Sequence, residues 1–364
     1  GAGAGLCTVV LFLLWRRWLE KPVSHIQQGD DRRRLCPLEK GIGPGAEAVL
    51  QRKDLVVKRV LCMLKDGTNI FYQTVAPIGR EPSHIVVFLH GYASHSDIYV
   101  EPLAKLAEEG ALLVLPDLPG FGRSDGLMGY VPDWWAWVDT IWEFMDSAIA
   151  PMRTEAAKRP LKLFCSGNSL GGGLSACLAV QRPTFFDGVV LIAPMLFVSD
   201  DIKPPYIVQV LFKRLLGPLK LTLPITPSKP TDSFDFRLPS QGGGFTDSNP
   251  LSMCGSLPRL ASAHEMGFTF PDWMEEHLAE LRTPFVVLHG TTDKVTDHNM
   301  SKRLHEMAQA KDKQLILYDG AYHCELLCCT DGNAKLIGQD FTPEQVAQTQ
   351  RCLADVAAWL KARA

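Results

Sequence analysis

From residue 85 onward the chain alternates short, unbroken apolar runs with longer stretches in which apolar positions recur at helical spacing. The runs at 85–89, 112–115, 161–165, 189–192, 285–288 and 314–318 are too short to be helices. Strands of this texture are buried on both faces, as in a parallel sheet covered by helices. Helical spacing occupies 101–109, 134–149, 170–181, 301–309 and 343–361. Ahead of these, 56–64 and 69–75 flank Asp66-Gly67, a dipeptide that favours a tight hairpin. The order predicts a doubly wound α/β domain that opens with an antiparallel hairpin.

One stretch breaks the rhythm. Residues 193–284 hold no clear strand, are rich in Pro and carry Gly242-Gly243-Gly244. A structureless loop of that length does not suit a compact domain, so the segment reads as a helical cap over 199–272. The core is then split into 46–198 and 273–364. Within the cap, 206–223 is strongly apolar, interrupted mainly by Lys213-Arg214 and Lys220. It reads both as a helix packed on the core and as a lid that lines an acyl pocket or touches a membrane. The cluster Trp134, Trp135, Trp137 and Trp142 follows helical spacing and reads as core packing.

The first 45 residues stand apart. Residues 6–15 are almost unbroken apolar sequence followed by Arg16-Arg17, shorter than the roughly 17–25 residues that span a bilayer. A trimmed signal-anchor, a targeting h-region and an interfacial helix all fit this pattern. The polar, Gly/Pro-rich stretch 27–45 reads as a linker, and Arg32-Arg33-Arg34 as a solvated loop within it. The expectation is membrane association through this segment and the cap, with the catalytic domain on the cytoplasmic side.

Composition narrows the picture only a little. With 46% hydrophobic and 21% charged residues the chain is an ordinary globular protein. A net charge of −3 argues against nucleic-acid binding, which needs a basic surface. Ten cysteines without regular spacing do not make a disulfide scaffold and suit a reducing compartment. Cys324, Cys328 and Cys329 beside His323 lack paired metal-ligand spacing, so neither a metal nor a cofactor is expected.

The chemistry centres on Gly167-Asn168-Ser169-Leu170-Gly171, which follows an apolar run and opens a small-residue helix. That is the strand–turn–helix setting of a nucleophile elbow, in which a strained serine projects above the sheet and its neighbours must lack side chains. A serine hydroxyl needs a base, and the base an orienting acid, in the chain order Ser, acid, His. Asp293 follows the run at 285–288 and His323 the run at 314–318, so both sit beyond strand C-termini, where chemistry gathers in such sheets. Asp297 and Asp319 are rival acids. Charge developing on a substrate carbonyl needs two backbone donors, assigned to the amides of Leu170 and Tyr92. His90 reads as a brace for the Tyr92 loop, and His95, His289 and His298 as surface or loop histidines. These residues predict an ester hydrolase.

Across 57–360 the chain resembles the monoacylglycerol lipase family, particularly its plant-type branch with lysophospholipase-like and caffeoylshikimate esterase-like members. The resemblance rests on Phe88-Leu89-His90-Gly91-Tyr92, on Asp117-Leu118-Pro119-Gly120-Phe121-Gly122-Arg123-Ser124 and on the serine motif with Gly172. Ala193-Pro194-Met195, His289-Gly290, Val295-Thr296-Asp297 and Ala321-Tyr322-His323 extend it. It implies the α/β-hydrolase fold, a Ser169, Asp293 and His323 triad, Tyr92 and Leu170 as oxyanion donors, and a mobile cap over an acyl tunnel. A single-chain lipid ester such as a monoacylglycerol is the implied substrate, with a lysophospholipid or a small aromatic ester as the alternatives. A scaffold of the same fold without turnover is the alternative of another class. Two departures stand out: Asn168 where the family usually has His, and a cap over 199–270 that matches least.

Overall fold

The computed structural model describes residues 28–155, 158–197, 205–224, 234–251 and 258–364. Its strands are β1 Leu55–Met63, β2 Asn69–Pro77, β3 His84–Leu89, β4 Ala111–Pro116, β5 Lys162–Asn168, β6 Gly188–Ile192, β7 Phe285–Gly290 and β8 Lys313–Tyr318. They form one sheet in the order β1-β2-β4-β3-β5-β6-β7-β8. The β1–β2 and β2–β4 pairs are antiparallel, and every later pair is parallel. This is the α/β-hydrolase architecture. The opening hairpin turns at Gly67, whose φ of +88° suits glycine and few other residues.

Alternation along the central strands feeds two cores. Ile85, Val87 and Leu89 of β3, with Leu163 and Cys165 of β5, face the helices Trp134–Phe144 and Leu170–Gln181. Val86, Phe88 and Phe164 point the other way, toward the helices Ser96–Glu108 and Pro343–Lys361. A sheet covered on both faces needs its strands apolar at every position, which is why the sequence runs lacked alternation. Trp134, Trp137 and Trp142 are buried in the first core, and half-buried Trp135 packs edge-on against Trp273.

Between β6 and β7 the described residues contain the helices Tyr206–Leu211, Pro239–Ser248, Leu260–His264 and Phe270–His277 and no strand. The helix Pro239–Ser248 lies against the core: Phe236, Phe245 and Phe341 stack, and Gln241 exchanges hydrogen bonds with Gln345. Nearby, the Arg237 guanidinium bonds both oxygens of buried Glu325.

The structure corrects the reading of the segment before β1. Residues 28–45 are no solvated linker: Gly29–Leu35 and Gly43–Leu50 are helices packed on the domain, and Arg32 is fully buried. Its Nε donates to Gly122 O at 2.5 Å and its second guanidinium nitrogen to Ser124 O and Gly126 O. Arg33 binds Arg123 O and pairs with Asp125. A buried arginine is held this way because five donors can meet several carbonyls at once. The apolar run at 6–15 lies outside the described residues. Among those that are described, no helix is long and apolar enough to cross a membrane.

Candidate active site

Ser169 sits between β5 and the helix Leu170–Gln181 with φ 54° and ψ −118°, a conformation that costs a non-glycine residue about 1–3 kcal/mol. Three backbone hydrogen bonds hold it there. Its amide donates to Ile192 O at 3.0 Å, and its carbonyl accepts from Gly173 N at 3.0 Å and Met195 N at 2.8 Å. The flanking glycines are sterically required. A Cβ on Gly171 would lie 1.9 Å from Leu89 O, and one on Gly167 would lie 2.3 Å from the Gly171 carbonyl carbon.

The loops beyond β7 and β8 bring Asp293 and His323 together: Nδ1 of His323 is 2.6 Å from Oδ2 of Asp293. Both residues are buried. The other Asp293 oxygen accepts from the amides of Val295 and Thr296, and Thr296 Oγ1 donates to Oδ2 at 2.9 Å. Burial alone would raise the Asp293 carboxyl, but the charge and hydrogen bonds of His323 and His289 hold it well below the usual range. Burial likewise opposes the charged form of His323, yet the facing Asp293 outweighs it and raises this histidine above its ordinary value. The rival acids are occupied elsewhere. Asp297 caps the helix His298–Met307 through Asn299 N, and Asp319 takes a hydrogen bond from Thr291.

The loop after β3 abuts the serine. A Cβ placed on Gly91 would meet Ser169 Cβ at 3.3 Å. His90 orients this loop through both ring nitrogens: Nε2 accepts from Leu118 N at 2.9 Å, so Nδ1 carries the proton and donates to Gly91 O at 2.7 Å. Burial lowers its pKa to about 4, which keeps the ring neutral. Gly91 O and Tyr92 N–H share one peptide plane, so His90 sets the direction of the Tyr92 amide. Leu170 opens its helix directly after the serine and is buried. Asn168 takes its own course: its Oδ1 accepts from Tyr99 Oη at 3.1 Å, and its Nδ2 donates to Ile192 O.

Two of the three histidines read as surface or loop residues are buried instead. His95 lies beneath the loop with Nε2 2.9 Å from Asn249 Oδ1, and only His298 is part-exposed. His289, at the end of β7, places Nε2 3.2 Å from the same Asp293 oxygen that faces His323, while its Nδ1 meets Ser301 Oγ at 2.7 Å. Its place four residues before Asp293 was the only signal in the sequence. Cys324, directly after His323, faces Cys328; that hydrogen bond and burial push its thiol well above the ordinary range. Among the described residues no group of His, Cys, Asp or Glu could hold a metal ion.

Residues 80–327 match the family model Hydrolase_4, described as serine aminopeptidase, S33. The chain is 28% identical over 258 residues to monoglyceride lipase of Homo sapiens, covering 71% of this chain and 80% of that one. It is 27% identical over 274 residues to caffeoylshikimate esterase of Arabidopsis thaliana, covering 75% and 80%. The solved monoglyceride lipase of Saccharomyces cerevisiae, in complex with a substrate analog, superposes with a TM-score of 0.67 at 18% identity, covering 86% and 97% of the two chains. The Paleococcus ferrophilus monoacylglycerol lipase gives 0.62 at 23%, covering 81% and 99%. At such identities the two structures speak for the fold.

Proposed function

From the premise that this chain belongs to the Hydrolase_4 (serine aminopeptidase, S33) family, we propose that it hydrolyses the ester of a monoacylglycerol to glycerol and a free fatty acid. The observation that carries the reading is the 2.6 Å contact between His323 and Asp293, at the sheet edge where Ser169 occupies its strained turn. His323 Nε2 takes the Ser169 proton as Oγ attacks the ester carbonyl, and Asp293 balances the imidazolium. The amides of Leu170 and Tyr92 receive the oxyanion. Collapse expels glycerol with the proton from His323, and water activated by the same imidazole releases the fatty acid. The lipid substrate is supported by relatives named monoglyceride lipase and by a structural neighbour holding a substrate analog.

The cap supports a role at a lipid surface. Tyr206, Ile207, Leu215 and Leu219 are 79%, 64%, 61% and 61% exposed on one short stretch, too much apolar side chain to leave in water without a purpose. Lys213 and Lys220 lie among them, paired with Asp272 and Asp133. Exposed apolar side chains of this kind suit contact with a lipid surface. The eight described cysteines are free thiols, in keeping with a cytoplasmic catalytic domain.

The test is fatty-acid release from a long-chain monoacylglycerol by the wild type and by Ser169→Ala. Release that vanishes in the variant supports serine hydrolysis of this lipid class. No release from a folded wild type that still reacts with a fluorophosphonate moves the substrate to a lysophospholipid or an aromatic ester. Failure of both sinks the enzymatic reading and leaves a scaffold.

A further inference from the structure

The Gly129 carbonyl accepts two side-chain hydrogen bonds. Tyr92 Oη donates to it at 3.1 Å and Ser262 Oγ at 2.7 Å. Tyr92 belongs to the loop after β3, whereas Ser262 lies on the helix Leu260–His264, in the insertion between β6 and β7. Ser262 is fully buried, and its hydroxyl oxygen also accepts from Val131 N at 2.8 Å. The start of the same helix is tied to the residue before Gly129: buried Arg259 donates to Met128 O at 2.6 Å, and also to Thr222 O at 2.5 Å. Burial raises the Tyr92 phenol well above its ordinary value, so it stays a neutral donor.

We propose that Ser262 is a positioning residue for the oxyanion hole, acting through the Gly129 carbonyl and the Tyr92 phenol. The inference rests on the assignment of the Tyr92 amide as an oxyanion donor. That amide follows Gly91, which has no side chain to fix it, and precedes Ala93, whose left-handed φ of 57° alanine adopts only when its surroundings hold it there. His90 fixes the peptide plane on its carbonyl side. On the other side the fixed points are the Tyr92 ring, edge-on to Phe121 with centroids 5.3 Å apart, and its hydroxyl on Gly129. Ser262 holds Gly129 in place to receive that hydroxyl. On this reading the insertion contributes to the electrostatic machinery of the site. An amide displaced by a few tenths of an ångström costs rate in the transition state and little in substrate binding.

The experiment uses hydrolysis of soluble p-nitrophenyl butyrate by the full chain, so that lipid-surface effects do not enter. Tyr92→Phe and Ser262→Ala should each lower kcat by about tenfold with KM within about twofold. Because both act on one carbonyl, the double variant should lose no more than the worse single variant. A kcat within about twofold of wild type for either single variant, or losses that multiply in the double variant, would overturn the proposal. If Ser262→Ala does not fold, Ser262→Cys, which keeps the size and weakens the donor, takes its place in the same comparison. Ser169→Ala on the same ester keeps the two readings apart. Hydrolysis that persists there sinks the active-site assignment, whereas its loss together with an unaffected Tyr92→Phe sinks only the coupling.

Discussion

His289 Nε2 stands 3.2 Å from Asp293 Oδ2, the oxygen that also lies 2.6 Å from His323 Nδ1. One carboxylate oxygen thus serves two imidazoles and the Thr296 hydroxyl, and the other serves two backbone amides. An acid held by five partners cannot swing, so the His323 ring inherits a fixed orientation before any substrate arrives. Rigidity of this kind is what the proposed general base needs if Ser169 is to be deprotonated in one fixed geometry.

Activity should rise with pH along a single limb whose midpoint lies above the ordinary histidine value. As the proposed base, His323 works only when neutral, and the facing Asp293 raises its pKa against the effect of burial. A profile of kcat/KM against pH, from pH 5 to 9, reads this directly. A curve flat across pH 5 to 8 speaks against His323 as the base.

Replacing His289 should reveal its share in holding the acid. In His289→Ala the Asp293 charge is left more fully to His323, so the ascending limb should move to higher pH. Loss of orientation should lower kcat by about tenfold. Unchanged kcat with an unmoved limb would make His289 a packing residue only.

Gly171 and Gly243 give opposite outcomes for the same substitution. Gly171→Ala would set a Cβ 1.9 Å from Leu89 O and should cost about 3 kcal/mol or more in urea unfolding. Gly243, in the helix Pro239–Ser248, has open space around it, and Gly243→Ala should gain about 0.5–1 kcal/mol.

Asp97 lies buried between Arg59 and Arg123, at 2.6 and 3.0 Å. Burial would raise its carboxyl, but the two guanidinium groups bring it down to about 2. With the folded value depressed, its contribution to stability is complete above the ordinary aspartate value of 3.8 and fades as pH falls toward 2. Asp97→Asn removes the charge at every pH, strands two arginines and should cost about 3–5 kcal/mol in urea unfolding at pH 7.

Local patterns carried the elbow. Glycine spacing around Ser169 is a matter of five neighbouring residues, and the clash of any Cβ on Gly171 explains why the motif is visible in sequence. Asp293 and His323 were legible for a related reason: each follows a strand, and parallel strands deliver their ends to one edge. The buried histidines were not legible, because the partners of His95 and His289 come from other elements, at Asn249 and Ser301. Nothing in a polar residue's own neighbourhood announces a partner that distant. The helix Ser96–Glu108 begins five residues earlier than the pattern suggested, because Ser96 and Asp97 are drawn in by Asp117 and Arg123. Asp331–Ile337 escaped notice for want of an apolar stripe. It is held by its Thr330 cap and by Glu101, which bonds both Thr330 Oγ1 and Gly332 N.

The docking of Arg32 bears on where the gene can be cut. A shortened form starting at residue 46 would keep every strand and the whole Ser169, Asp293 and His323 set, and on paper would look complete. It would also uncover the carbonyls of Gly122, Ser124 and Gly126 and take two backbone acceptors, Cys36 O and Lys40 O, away from the Arg123 guanidinium. The loop so loosened leads directly to Gly129. A cloning boundary upstream of Gln28 spares it.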